Sequence, residues 1–220
     1  MSEPIKVRIW DAPTRLFHWS LVLLVCFSWL TVQLFWMQLH YLSGEAILTL
    51  LLFRIVWGFV GSDTARFGQF LKSPFAAIAH LRHIRRREPD TELGHNAAGG
   101  WMVLGLLGLL LLQVGTGLFS SDDDAAVEGP LRHLVSANTS TLLTDLHGFV
   151  FTAIQIAVAL HVLALLLYYV FKGQNLVRPM ITGAKSIENP SVEPRMVHPV
   201  RAVAVLCAAA VLVAALVRFF

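Results

Sequence analysis

Charge is what this sequence has least of. Asp, Glu, Lys and Arg make up 14% of the 220 residues while hydrophobic side chains make up 56%, against about 25% charged in soluble domains. So few charges exclude a water-soluble globule and leave no room for a large soluble domain. Cysteine is nearly absent as well. Cys26 and Cys207 both fall in apolar runs, which excludes a disulfide framework and a CxxC metal or redox motif. There is no HExxH, and no carboxylate sits in the centre of an apolar run, Glu45 lying toward the end of one. A zinc protease site and a mid-membrane carboxylate relay are therefore missing. The small basic excess, +3, is read as loop charge that orients a membrane protein, and no nucleic-acid partner is expected.

What the chain does have is long apolar runs. They predict spans over about 16–36, 39–60, 99–119, 142–171 and 202–220, with a tight turn between the first two. The fold class expected is an all-α integral membrane protein: a four-helix bundle over 16–171 and a fifth, C-terminal transmembrane helix at 202–220, joined by a linker over 172–201. Residues 1–15 form a short lead without a targeting pattern, and the first span is expected to be retained. Basic residues gather in the lead (Lys6, Arg8, Arg15), after span two (Arg66, Lys72, Arg82, Arg85, Arg86, Arg87) and in the linker (Lys172, Arg178, Lys185, Arg195, Arg201). The opposite side carries Arg132, Arg218 and an acidic loop with Asp122, Asp123, Asp124 and Glu128. The positive-inside rule then predicts a cytoplasmic N-terminus and an outer acidic loop.

Within the basic loop, SPFAAIAHLRHIRRRE reads as a cytoplasmic interfacial helix, capped by Ser73 with Pro74 at its first position. Arg85 to Arg87 suit anionic head groups, so membrane lipid is an expected partner. His80 and His83 share its i, i+3 face and are read as interfacial polar residues rather than metal ligands.

Four other histidines lie inside the spans, where hydrocarbon offers no solvation: His18, His40, His147 and His161. His147 and His161 are separated by 14 residues of one helix, which returns them to within about 40° of each other and sets them about 21 Å apart along the axis. With the predicted orientation the four sort by depth into His18 with His161 on the cytoplasmic side and His40 with His147 on the outer side. Trans imidazoles from different helices are what a six-coordinate haem requires; interhelical hydrogen bonding is the plainer role for any one of them. Arg54, 14 residues after His40, is either the partner of a haem propionate or a side chain snorkelling to the interface. Gly44 and Gly58, one turn beyond His40 and Arg54, suit either close approach of a macrocycle or helix packing. Met37, Met102 and Met180 pair in depth with no spare histidine. The six tryptophans are expected mostly in interfacial belts.

VRIWDAPTRLFHWS, LHYLSGEAILTLLLFRIVWGFVGS, LGHNAAGGWM and LHGFVFTAIQIAVALHVLALLLYY, together with RPMITGAK, resemble the bacterial b561-type di-haem cytochromes, which include the cytochrome b subunits of nickel-iron hydrogenases. The resemblance covers about residues 7–185. It implies a four-helix bundle in the bacterial inner membrane that holds two b-type haems on His18, His40, His147 and His161. It also implies electron passage between the quinone pool, ubiquinone included, and a redox partner protein. His95 recurs in that family without being an axial ligand; a propionate or quinone contact and a helix-entry cap are both open for it.

The function expected is thus a transmembrane electron-transfer cytochrome b, with a c-type cytochrome or a dehydrogenase as redox partner and a homo-oligomer allowed. A stand-alone oxidoreductase passing electrons from a small diffusible substrate to quinone shares every ligand. A transporter or scaffold with structural histidines is the third reading, and it predicts a colourless protein.

Overall fold

Five helices in the computed structural model are long and apolar enough to cross a membrane: α1 (Ala12–Gln33), α2 (Met37–Val60), α5 (Ala97–Gly117), α6 (Ala137–Leu167) and α8 (Pro199–Phe219). The structure describes residues 5–82, 93–122, 127–187 and 193–219. At about 1.5 Å per residue, helices of 21 to 24 residues match a hydrocarbon core of about 30 Å. Short elements join them: strands β1 (Ile5–Arg8), β2 (Ser121–Asp122), β3 (Val127–Glu128) and β4 (Ala184–Ile187), and helices α3 (Phe67–Phe70), α4 (Pro74–Arg82) and α7 (Val177–Thr182).

Polar side chains, more than hydropathy, decide where the helices start. α1 opens four residues before the apolar run because Asp11 Oδ1 accepts the Thr14 backbone N–H at 2.7 Å. α6 likewise opens at Ala137 rather than 142, with Ser136 Oγ accepting the Thr139 N–H at 3.2 Å. α5 begins at Ala97 because Asn96 Oδ1 takes the Gly99 N–H at 2.7 Å. This assigns the entry cap to Asn96 and not to its neighbour His95. Ser73 caps α4 as expected, at 3.2 Å from the Ala76 N–H. The rest of that segment, with His83 and Arg85 to Arg87, lies outside the described residues, as do Asp123 and Asp124 of the acidic loop.

α1 and α2 are joined by three residues, Leu34 to Trp36. Phe35 takes a left-handed φ of 57°, and the Trp36 N–H reaches back to Thr31 O at 2.8 Å. At its other end α6 widens into a π turn over Tyr168–Lys172 and stops at Gly173, whose φ of 69° suits a residue without Cβ.

The chain divides into two compact units. The first comprises residues 1–16, 54–105 and 157–202. Here β1 pairs antiparallel with β4, Ile5 opposite Ile187 and Arg8 opposite Ala184. The backbone N–H groups of Ile9 and Trp10 both donate to Gly183 O, at 2.9 and 3.0 Å, and Arg15 Nη1 donates to Ile181 O. Gly183 is in the left-handed region, φ 83°, and a Cβ there would meet Trp10 O at 2.9 Å. Val7, Ile9, Trp10 and Ile187 form a small core with Leu93 and Met180 against it. Trp57 is fully buried, its indole N–H on Asp11 Oδ2 at 3.0 Å. Trp10 and Trp57 thus depart from the interfacial role expected of tryptophan here, because each meets the packed lead rather than a lipid boundary. His80 Nε2 meets the Tyr168 hydroxyl, which also accepts from Asn96 Nδ2 at 2.7 Å.

The second unit comprises residues 17–53, 106–156 and 203–220. The link from α5 to α6 is sewn to α6 and closed on itself: Ser140 Oγ donates to Phe119 O at 2.8 Å, the Ser121 N–H to Thr144 Oγ1 at 3.0 Å, and the Leu131 N–H to Leu118 O at 2.8 Å.

Asp11 both caps α1 and accepts the Trp57 indole. Asp11→Ala is expected to destabilise the protein by about 2–4 kcal/mol, a lost cap plus a stranded buried N–H, and Asp11→Asn by less than half of that. Thermal unfolding of the purified protein in detergent, followed by far-ultraviolet circular dichroism, measures both.

Candidate cofactor site

His40 stands in the first turn of α2 and His147 in the third turn of α6. Their rings lie 6.4 Å apart between centroids with planes at 84°. Each ring is held from behind by a main-chain carbonyl. His40 Nδ1 lies 3.1 Å from Ser28 O and 3.1 Å from Ser28 Oγ on α1. His147 Nδ1 lies 2.9 Å from Gln113 O and 3.2 Å from Thr116 Oγ1 on α5. A carbonyl oxygen has no proton to give, so both Nδ1 atoms are the donors. Nε2 is then the ring nitrogen that each imidazole turns away from the carbonyl, the atom that a histidine anchored through Nδ1–H offers to a metal. His147 Nε2 in turn accepts from Gln113 Nε2 at 3.0 Å.

The spacing has a chemical meaning. Two imidazoles from different helices at this spacing would suit one metal ion held between them, and His40 and His147 are the residues that would hold it. A Cβ built on Gly44, one turn beyond His40, would touch nothing within 4 Å, so that face of α2 is open. Gly117 is the opposite case: its Cβ would stand 2.8 Å from His147 Cε1 and 3.2 Å from Nδ1, so the missing side chain is what lets the imidazole lie against α5.

Of the remaining sequence candidates, His18 sits in the second unit with its ring edge-on to Trp19 at 4.9 Å. His161 is half-buried on α6 in the first unit. His95 is packed between Trp10 and Phe70, at 4.7 and 4.8 Å between centroids. Arg54 is 2% exposed, its Cζ 4.9 Å from the centroid of Phe67. Gly58 accommodates Phe67, whose ring occupies the place of its Cβ, which corrects the suggestion that this glycine opens toward a macrocycle. Among the described residues no group of three or more His, Cys, Asp or Glu comes together as a metal site. Sequence reasoning missed Ser28, Gln113, Thr116 and Gly117, which position the rings. Gln113 and Thr116 did carry a signal, as polar side chains within the apolar run of α5.

Gly117→Ala is expected to push the His147 ring off Gln113 O and to cost about 1–3 kcal/mol by overpacking. Gly105→Ala, where the added Cβ meets nothing within 4 Å, should be neutral or stabilising by up to about 1 kcal/mol. Unfolding temperatures of the two variants, measured side by side, make the comparison.

The model of the prokaryotic cytochrome b561 family matches residues 9–183, a stretch containing all four intramembrane histidines. The chain is 25% identical over 157 residues to a protein named probable Ni/Fe-hydrogenase 1 B-type cytochrome subunit in Escherichia coli K12, and equally to its counterpart in Escherichia coli O157:H7. These alignments take in 58% of this chain and 66% of each relative, so the chain spans just under two thirds of the length of the curated relatives it matches. No solved structure matches it. With a family match over most of its length and five apolar helices to carry it through a bilayer, the chain belongs to the prokaryotic cytochrome b561 family, multi-pass membrane cytochromes b of electron transport.

Proposed function

We propose that this chain carries electrons through a bacterial inner membrane on two bis-histidine b-type haems, one held by His40 and His147 and the other by His18 and His161. The observation that carries the reading is the first pair: two imidazoles, each with Nδ1–H on a carbonyl, at a centroid spacing of 6.4 Å. Haem supplies the one-electron redox change; the chain supplies ligation, spacing and surroundings. The Nδ1–H bonds to Ser28 O and Gln113 O hold the rings in register and raise the basicity of Nε2. With Nε2 of His147 given to iron, the Gln113 amide that now donates to it would turn aside. The apolar side chains of the spans keep water from the site, so the potential is set in a low-dielectric medium.

The second pair rests on depth in the sequence, on His18 near one end of α1 and His161 14 residues beyond His147 on α6. The basic lead and linker support a cytoplasmic N-terminus. Electrons would pass between the quinone pool, ubiquinone included, and a redox partner. A dehydrogenase is one class of partner, in keeping with the hydrogenase named in the E. coli relatives. A basic c-type cytochrome steered to the acidic loop around Asp122 and Glu128 is the other.

An optical spectrum of the purified protein, oxidised and then dithionite-reduced, tests the reading. Soret and α bands are expected at two haems per chain. His40→Ala and His147→Ala should each halve the haem content and remove the same component. His18→Ala and His161→Ala should remove the other. A colourless wild-type protein overturns the proposal, and loss of one and the same haem in His40→Ala and His161→Ala overturns the pairing.

A further inference from the structure

Arg54 is a charged group in the wrong place for its own chain. It is 2% exposed on α2, six residues before the helix ends at Val60, which is about 9 Å of helix. A snorkelling arginine keeps its head in water, and this one does not. Phe67 covers one face of the guanidinium, its ring lying against α2 where Gly58 has no side chain.

Nη1 of Arg54 is buried and, among the described residues, has no hydrogen-bond acceptor. The carboxylate that acts on the guanidinium electrostatically is Asp11, and its oxygens are engaged elsewhere. Oδ1 takes the Thr14 N–H and Oδ2 the Trp57 indole. Among the described residues the salt bridge within 4.0 Å is Arg66 to Asp63, not a pair of Arg54. A buried cationic N–H without an acceptor is costly, so the site favours an anionic acceptor that the described residues do not provide.

We propose that Arg54 binds a propionate of a haem, as a guanidinium–carboxylate contact in the first unit. This rests on the reading that the chain carries haem. The chemistry selects a carboxylate, which a guanidinium meets through two parallel N–H bonds. A free anion would have to leave water to reach so buried a site, and a lipid head group stays at the interface. A propionate arrives tethered to a ring that already lies in hydrocarbon. The charge of Arg54 then acts on the iron as well, making that haem easier to reduce.

The test is an optical redox titration of the full chain in detergent, for the wild type, Arg54→Gln and Arg54→Lys. Arg54→Gln is expected to make one haem harder to reduce. At that haem's wild-type midpoint the oxidised-to-reduced ratio should rise about tenfold, which is about 59 mV for one electron, while the other haem titrates unchanged. Arg54→Lys should shift the ratio less than threefold. Redox-difference infrared spectra of protein loaded with haem labelled by 13C at the propionate carboxyls identify the anion. The labelled carboxylate band should move between wild type and Arg54→Gln. Unchanged titration of both haems, or a band at Arg54 that ignores the label, overturns the assignment. If Arg54→Gln does not fold, the labelled band in Arg54→Lys decides: movement supports the contact and an unmoved band overturns it. A wild-type protein with no haem bands overturns the earlier reading and this assignment with it, whereas haem bands with unchanged titration and an unmoved label overturn this assignment alone.

Discussion

Inside a bilayer a polar atom has no water to fall back on, and one left without a partner costs several kcal/mol. That constraint organises the apolar helices of this protein. Thr31 and Thr116 are buried with their hydroxyls folded onto carbonyls of their own helices, Ser28 O for the first and Leu112 O for the second. Ser43 and Thr49 do the same on His40 O and Glu45 O. The two histidines cannot satisfy themselves in this way, because an imidazole is rigid and points off its helix. Each turns to a carbonyl of a neighbouring helix, and in doing so ties α2 to α1 and α6 to α5.

The same two bonds give the rings their chemistry. With Nδ1–H committed to a carbonyl, Nε2 is the atom of each half-buried ring left to meet a proton donor or a metal. At His147 the Gln113 amide answers that demand in the structure described here. Under the proposed function a haem iron would answer it instead, which would let histidines stay within apolar spans where a charged or unpartnered side chain is costly. Gly117 belongs to the same logic, since only a residue without Cβ lets the His147 ring lie close enough to α5 to reach Gln113 O.

The lead ahead of α1 is held with comparable care. Its two backbone N–H groups at Ile9 and Trp10 close on Gly183, and residues 9 and 183 are also the limits of the family match. The matched region therefore begins and ends on one backbone clasp, with the β1–β4 pair just beyond it. Asp11, three residues into the match, joins the cap of α1 to the indole of Trp57 on α2. Because both its oxygens are committed there, it supplies countercharge to Arg54 without an acceptor.

The one-dimensional pattern determined the class of molecule: five apolar runs of membrane length, their approximate order, and the histidines out of place within them. Run length and burial cost are local properties, so they are legible in a string of residues. Helix starts were less so, since Asp11, Asn96 and Ser136 extend helices beyond the apolar runs through side-chain caps that hydropathy does not register. Spacing along α6 brought out His147 and His161, but it could not say which carbonyl holds a ring, because Ser28 and Gln113 meet His40 and His147 only after separate helices pack. Arg54 makes the same point. Its position in the sequence left interface and interior equally open, and only the packing of Phe67 over Gly58, together with the prior engagement of Asp11, decided that the guanidinium is buried with Nη1 lacking an acceptor among the described residues.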